Sequence, residues 1–122
     1  MARKAWASFL LANNRDNDTY RVHFNQLASK LFDGCDYIQI RRTNRVIVIQ
    51  PLTDSEAESS EVVLPIHRDM YNTVYLTCNR LVKHEGFLRR AWFDGKRYAV
   101  KRGKDNNLVY IFMDEEVVLN DK

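Results

Sequence analysis

A run of basic side chains marks the second half of the sequence. Between Arg80 and Lys104 there are nine lysines and arginines and two acidic residues, Glu85 and Asp94, in a chain whose net charge is +3. Such a local excess attracts a polyanion over about a Debye length. The segment therefore predicts a phosphate-rich partner such as nucleic acid, and a basic surface without a partner is the alternative. The nine basic residues are Arg80, Lys83, Arg89, Arg90, Lys96, Arg97, Lys101, Arg102 and Lys104.

The side chains that perform catalysis or bind metals do not occur at the spacings that those functions require. The histidines His23, His67 and His84 are isolated, and Cys35 and Cys78 lie 43 residues apart. Zinc sites and disulfide frameworks use closely spaced residues, and the common catalytic and nucleotide-binding motifs are missing from the sequence. We therefore expect two reduced thiols, no metal, no cofactor and no enzymatic activity.

An internal repeat organises the chain. Phe32–Tyr37 and Phe93–Tyr98 share Phe, Asp, Gly and Tyr at an offset of 61 residues, half of the 122-residue chain. Arg45–Ile49 and Asn107–Ile111 follow these segments in the same order. Because the predicted elements on both sides also occur in the same order, a tandem duplication explains the pattern better than chance.

Each half is predicted to begin with the same three elements. An apolar strand comes first, over Ala5–Ala12 and Thr73–Thr77, and a second short strand follows a polar turn, over Tyr20–Phe24 and Arg80–His84. A helix of two to three turns follows, and Asn25 is the predicted cap of the first helix. The apolar residues at helical spacing are Phe24, Leu27, Ala28 and Leu31 in one half, and Phe87, Leu88, Ala91 and Trp92 in the other.

A hairpin is predicted to complete each half. An Asp-Gly pair ends each helix, because Gly34 and Gly95 adopt the left-handed conformation without strain. Valine, isoleucine and tyrosine are then enriched on both sides of a turn that contains Asn or Gly, which is typical of a β-hairpin. The predicted hairpin strands are Tyr37–Ile40 and Arg45–Ile49 in the first half, and Tyr98–Val100 and Leu108–Phe112 in the second.

This order of elements resembles the AbrB-like swapped-hairpin family, which includes sporulation regulators, antitoxins and the tandem-repeat MraZ proteins. The second half carries the resemblance in Val74–Thr77, Asn79–Val82, Leu88–Trp92 and Asp94–Tyr98. The first half carries it in Arg21–Phe24, Leu27–Leu31, Gly34–Ile40 and Val46–Pro51.

The resemblance implies a mainly β fold with short helices (α+β), in which two internal repeats form one pseudo-two-fold, swapped-hairpin β-barrel. A single half buries too little apolar surface to be stable alone, so the halves are expected to exchange hairpins around one core. The first repeat is predicted over residues 1–52, an acidic linker and connecting segment over 53–72, and the second repeat over 73–122, together one intertwined domain. The predicted shared core contains Ile38, Ile40, Val46, Val48, Ala99, Val109 and Ile111.

The resemblance also implies a DNA-binding transcriptional regulator that binds duplex DNA through arginine and lysine side chains. Guanidinium groups suit phosphates and also read guanine edges in the major groove. The residues that the resemblance places on the turn before the second strand, on that strand and on the helix are Arg21, Arg80, Lys83, Arg89 and Arg90. Those beside the hairpin turns, expected to reach flanking phosphates, are Arg41, Arg42, Lys101 and Arg102.

A non-enzymatic protein-interaction module, an antitoxin-like partner that has lost DNA binding, is the alternative. Whether the chain forms a homodimer or binds another protein stays open. The aromatic residues, including Trp92 and Phe93, are predicted to pack in the core rather than to stack on bases. Apolar runs fall short of the roughly 20 residues of a membrane helix, and the first residues do not resemble a secretory signal. We therefore expect a cytoplasmic protein without a membrane partner.

Overall fold

The described residues of the chain form one antiparallel sheet of nine strands with a few short helices beside it. The computed structural model describes residues 4–13, 18–59, 63–83, 88–104 and 107–118. Over these ranges the strands are β1 (Trp6–Asn13), β2 (Asp18–Phe24), β3 (Tyr37–Thr43), β4 (Val46–Leu52), β5 (Val63–Pro65), β6 (His67–Arg68), β7 (Val74–Thr77), β8 (Arg97–Arg102) and β9 (Val109–Glu116). The helices are α1 (Gln26–Ser29), α2 (Asp54–Ser59) and α3 (Asn79–Lys83), and two single 3-10 turns span Lys30–Phe32 and Arg90–Trp92. No helix in these ranges is long and apolar enough to span a membrane.

The strand order brings the two edges of the sheet together. The order is β5-β3-β4-β9-β8-β1-β2-β7-β6. Along the chain, the edge strands β5 and β6 are separated only by Ile66, whose backbone N–H donates to the Asp36 carbonyl oxygen at 2.8 Å. The sheet is therefore nearly closed, and strands from both halves of the chain belong to it. The prediction of a mainly β, barrel-like fold with short helices is confirmed.

Both predicted hairpins are present, and their strands are longer than predicted. β3 pairs with β4, and β8 pairs with β9. Asn44 lies in the first hairpin turn with a φ of 55°, a left-handed conformation that asparagine tolerates better than most residues. Gly34 and Gly95, which precede the two hairpins, have φ values of 80° and 86°, as the Asp-Gly pairs predicted.

The core contains alternate residues of the strands. Four of the predicted core residues are buried: Ile38, Ile40, Val109 and Ile111. The other three, Val46, Val48 and Ala99, are only half-buried, so the prediction is wrong for them. In β4 the buried residues are instead Ile47, Ile49 and Leu52. Because successive strand residues point to opposite faces, a shift of one residue exchanges the core face for the outer face, and the apolar run Val46–Ile49 does not reveal which face is which.

The strand predicted over Arg80–His84 is wrong. Asn79–Lys83 forms helix α3 instead, and His84 lies outside the described residues. Both edges of β2 are already occupied, by β1 on one side and by β7 on the other, so a further strand cannot pair there. The segment turns into a helix and places Leu81 in the core, where it is 1% exposed.

The helices predicted after the second strands are shorter than expected. α1 is one turn long, and Asn25 caps it as predicted, with its Oδ1 accepting the Ala28 N–H at 3.0 Å. In the second half, only the 3-10 turn over Arg90–Trp92 forms in the described part of the predicted helix. Arg89 has an extended backbone conformation, so the helical turn begins only after it.

The acidic segment between the halves contains helix α2 rather than a loop alone. Thr53 and Glu56 form a capping box: the Thr53 N–H donates to Glu56 Oε1 at 3.1 Å, and the Glu56 N–H donates to Thr53 Oγ1 at 3.3 Å. The Thr53 N–H and the Thr53 hydroxyl, which donates to the same carboxylate oxygen at 2.9 Å, lower the pKa of Glu56. Further on, the Arg68 guanidinium donates to the carbonyl oxygens of Phe32 and Cys35 at 2.9 and 2.8 Å, which ties the connecting segment to the first half.

Candidate nucleic-acid interface

Two of the predicted DNA-binding residues meet at one aromatic ring. Arg42 lies near the end of β3 and Arg89 precedes the second 3-10 turn, yet both guanidinium groups lie over the indole of Trp92. Their Cζ atoms are 5.3 and 5.9 Å from the ring centroid. A cation–π contact at a partly exposed site stabilises by about 0.5–1 kcal/mol. Both contacts therefore favour positions in which the two cations lie at the same place on the surface.

The core fixes the position of this cluster. Arg42 lies two residues after Ile40, the last buried residue of β3, and on the same face of the strand. Phe93, next to Trp92 in the chain, is 5% exposed and its ring lies 5.2 Å from that of Phe9. The half-buried indole is thus held at the rim of the barrel, where β3 leaves the core.

The cluster lines a hollow of about 380 Å³, which we call the Trp92 hollow. The first hairpin turn closes one side of it, and the Met113 N–H donates to the Arg45 carbonyl oxygen at 2.8 Å, which ties that turn to β9. The described residues around the hollow include three arginines and no carboxylate. The lining residues are Arg42, Asn44, Arg45, Arg89, Trp92 and Met113.

Two more predicted residues lie on the outer face of the sheet, in one row. The pairing registers place Arg41 opposite Val48, Val48 opposite Tyr110, and Tyr110 opposite Lys101. Arg41 and Lys101 are therefore three strands apart, about 14 Å at the usual spacing of about 4.8 Å between strands. Lys101 also forms an ion pair with Glu115 at 3.4 Å, which reduces the local positive charge.

Other predicted residues lie apart from the Trp92 hollow. The Arg102 guanidinium donates to Asn107 Oδ1 at 3.1 Å, beside the second hairpin turn. Arg90 forms an ion pair with Asp18 at 3.6 Å, between the second 3-10 turn and β2. The predicted cations are thus distributed over several surfaces, and the acidic partner of Arg90 comes from the other half of the chain.

The three remaining predicted residues belong to β2 and α3. Arg80 is exposed on α3, and Lys83 Nζ lies 6.0 Å from the ring centroid of Tyr20. Arg21 is exposed on β2, with its Cζ 5.4 Å from the ring centroid of Tyr75. Because Arg80 and Lys83 are on a helix, they do not occupy the strand positions that the resemblance implied.

A stack of three rings on the outer face of β2, β7 and β6 was not predicted. The Tyr75 ring lies 5.3 Å from that of His23 and 5.1 Å from that of His67, and the planes are nearly parallel. Burial lowers the pKa of His23 and the nearby Arg21 charge lowers it further, whereas Asp69 raises it. His23 is therefore held in its neutral form to lower pH than an exposed histidine.

A larger hollow of about 480 Å³ carries the opposite charge. Its lining residues are Asp36, Tyr37, Asp54, Glu58 and Val63. Three carboxylates repel a phosphate, so this hollow does not suit the predicted partner. Across the described ranges, no group of three or more His, Cys, Asp or Glu residues is placed to hold a metal ion.

Comparison with family models, curated proteins and solved structures gives no match for this chain. What the chain binds is therefore inferred from the chemistry of its own surface. The sequence prediction missed Arg45. Trp92 packs against the core as predicted, but its contacts with Arg42 and Arg89 were not predicted. The run Arg41-Arg42-Thr43-Asn44-Arg45 was the available signal, because it concentrates three arginines around a hairpin turn.

Proposed function

We propose that this chain is a non-enzymatic DNA-binding domain that contacts the phosphates of duplex DNA through the arginines of the Trp92 hollow. The convergence of Arg42, Arg45 and Arg89 on one hollow carries this proposal. A guanidinium group presents paired N–H donors to phosphate oxygens, and such charge-assisted hydrogen bonds are stronger than neutral ones. Regulation of transcription is the role that the AbrB-like resemblance adds.

We propose a second phosphate contact on the outer face of the sheet, the face of β3 opposite to the one that carries Arg42. Arg41 and Lys101 lie there on neighbouring hairpins, about 14 Å apart at the usual strand spacing. The half-buried Val48 and Tyr110 lie between them. Phosphate contacts of this kind orient a protein on the duplex without reading its sequence, so the proposal predicts binding with little base specificity from these residues.

An internal duplication with exchanged hairpins is part of the same proposal, and the strand order supports it. The sheet contains the sets β3-β4-β9-β8 and β1-β2-β7-β6, and in each set two strands of the first half are followed by two later strands. A two-fold axis relating β3 to β8, β4 to β9 and β2 to β7 produces this order. In this arrangement β7 corresponds to β2, and not to β1 as the predicted repeat aligned it. α3 then corresponds to α1, and β5 and β6 together correspond to β1.

One pair of residues supports the same correspondence. Gly34 and Gly95, both with positive φ, precede β3 and β8. Asn25 and Asn79 follow β2 and β7, but their amides bond to the starts of β1 and β2, which this axis does not relate, so the asparagines add no support.

A salt titration of DNA affinity tests the proposed function. Each phosphate contact contributes a slope of about −0.9 to the dependence of log affinity on log salt, so binding to a labelled duplex should weaken steeply between about 50 and 200 mM salt. The double substitution Arg45→Ala/Arg89→Ala removes two exposed guanidinium groups and should reduce the slope by about 2. Lys30→Ala, which removes an exposed cation at the start of the first 3-10 turn, is the control and should leave the slope close to that of the wild type.

Two results would contradict the proposal. If the wild type does not bind duplex DNA even at low salt, the chain is not a DNA-binding domain. If it binds but the double variant keeps the full salt dependence, the phosphate contacts lie outside the Trp92 hollow.

A protein-interaction module remains the second candidate because of one exposed turn. Met70 and Tyr71, in the turn between β6 and β7, are 87% and 70% exposed. Large apolar side chains at this exposure are typical of contact surfaces when they lie side by side. This candidate predicts a dimer or a stable complex in light scattering that Met70→Ser/Tyr71→Ser disrupts, together with no affinity for DNA. A monomeric wild type that holds no protein partner would count against it.

A further inference from the structure

The arginines of the Trp92 hollow are arranged for a compact, highly charged group. Arg42 and Arg89 lie over the indole at 5.3 and 5.9 Å, so the ring limits where their guanidinium groups can move. Arg45 joins them from the hairpin turn that is tied to Met113. A guanidinium carries five N–H donors in a rigid fork, so three such groups offer many donors to one small acceptor.

We propose that the Trp92 hollow binds a phosphate monoester, the terminal phosphate group of a nucleic-acid strand or of a mononucleotide. This inference rests on the proposed function in one point, namely that the same arginines contact phosphate. It adds that the preferred group is a chain-terminal phosphate rather than a phosphate within the backbone.

The number of oxygens and the charge favour a monoester over a diester. A terminal phosphate presents three acceptor oxygens and carries a charge of about −1.5 to −2 at neutral pH, since its second pKa is about 6. A phosphate within a nucleic-acid strand has two unesterified oxygens and a single negative charge. Arg42, Arg45 and Arg89 together match the three oxygens and the higher charge of the terminal group.

The remaining lining leaves room for the group that carries the phosphate. The hollow of about 380 Å³ falls in the range of ligand pockets, roughly 300–1,000 Å³. The Trp92 ring and the Met113 side chain supply apolar surface, and the exposed Asn44 amide supplies a donor and an acceptor. A sugar and base attached to the phosphate therefore find contacts of suitable chemistry beside the arginines.

Fluorescence of Trp92 gives a direct readout. The chain has two tryptophans, so Trp6→Phe leaves Trp92 as the single indole reporter. At constant ionic strength, inorganic phosphate and a nucleoside 5′-monophosphate should change the Trp92 emission in a saturable way, and dimethyl phosphate should bind at least about tenfold more weakly. Affinity for the monoester should rise as the pH increases from 5 to 7, through the second pKa of about 6 of the ligand.

Substitutions of Arg89 test the role of the guanidinium fork. Arg89 is exposed and lies outside regular secondary structure, so its replacement leaves the core intact. Arg89→Ala should weaken phosphate binding about tenfold, and Arg89→Lys should recover only part of the loss because an ammonium lacks the planar fork. Lys30→Ala should bind phosphate like the parent protein.

Duplexes with and without a 5′-phosphate separate this inference from the proposed function. The 5′-phosphorylated duplex should bind more tightly than the 5′-hydroxyl duplex, and free mononucleotide should compete for that difference. If both duplexes bind equally with strong salt dependence and phosphate leaves Trp92 unchanged, the monoester site is refuted and DNA binding stands. If phosphate binds through Arg89 but neither duplex binds, the monoester site stands and the proposed DNA-binding function fails.

Discussion

Asn25 bonds three backbone groups in two segments of the chain through one side-chain amide, so Asn25→Ala should destabilise the fold substantially. Its Oδ1 accepts the backbone N–H groups of Trp6 and Ala28 at 3.1 and 3.0 Å. Its Nδ2 donates to the Lys4 carbonyl oxygen at 2.7 Å. The residue therefore caps α1 and at the same time holds the start of β1 beside the end of β2.

The expected loss in free energy of unfolding is about 2 to 3 kcal/mol. Removal of a helix cap costs about 1 kcal/mol, and each further hydrogen bond contributes about 1 kcal/mol, less where water replaces it at this half-buried position. A domain of this size loses about 4 °C of melting temperature for each kcal/mol, so Asn25→Ala should melt about 10 °C lower. Asn25→Asp keeps the acceptor but sets an oxygen against the Lys4 carbonyl, so about half of the loss is expected.

Urea unfolding followed by circular dichroism measures these differences. Gln26→Ala, an exposed substitution at the next residue, is the control and should stay within about 0.5 kcal/mol of the wild type. If Asn25→Ala is as stable as this control, the Asn25 side chain does not hold β1 and α1 together. If Asn25→Asp is as stable as the wild type, the amide donor to Lys4 contributes nothing to stability.

Three further outcomes follow from burial and charge. Ile47→Ala should lower the free energy of unfolding by about 2–5 kcal/mol, because Ile47 is buried. Val48→Ala, on the outer face, should lower it by less than half as much. Equal losses in urea unfolding would refute the assigned face of β4. Burial raises the pKa of Cys78 to about 12, so a thiol reagent should label the half-buried Cys35 first and Cys78 only on unfolding. Mass spectrometry that finds Cys78 labelled in the folded chain would contradict this prediction. Because burial lowers the pKa of His23 in the folded chain, the unfolded chain binds that proton more readily, and stability should fall as the pH drops below 6.5. His23→Gln should reduce that fall in pH-dependent melting, and an unchanged profile would show that another group causes it.

The local elements were predictable because their signals lie within a few residues. The Asp-Gly pairs marked the ends of the helical turns, and Gly34 and Gly95 do adopt positive φ. Asn25 was identified as a cap, and both hairpins were identified from β-branched residues on either side of a turn. Backbone sterics and short-range hydrogen bonding determine all of these features, so the rest of the chain does not need to be known.

The faces of the strands depended on pairing between distant segments. β4 is apolar at successive positions, and only its place between β3 and β9 decides that Ile47 rather than Val48 enters the core. The segment after β7 has residues that suit either a strand or a helix. It forms α3 because β1 and β7 already occupy both edges of β2, which no local pattern reveals.

Residue types and their order were sufficient to predict that the chain is mainly β and carries a concentrated positive charge. Strand pairing decided which of the cations lie together. The basic segment of the second half contributes Arg89 to the Trp92 hollow, whereas Arg42 and Arg45 come from the first hairpin. Charge attraction depends on distance in space, and the pairing of β4 with β9 brings the first hairpin beside the second half of the chain.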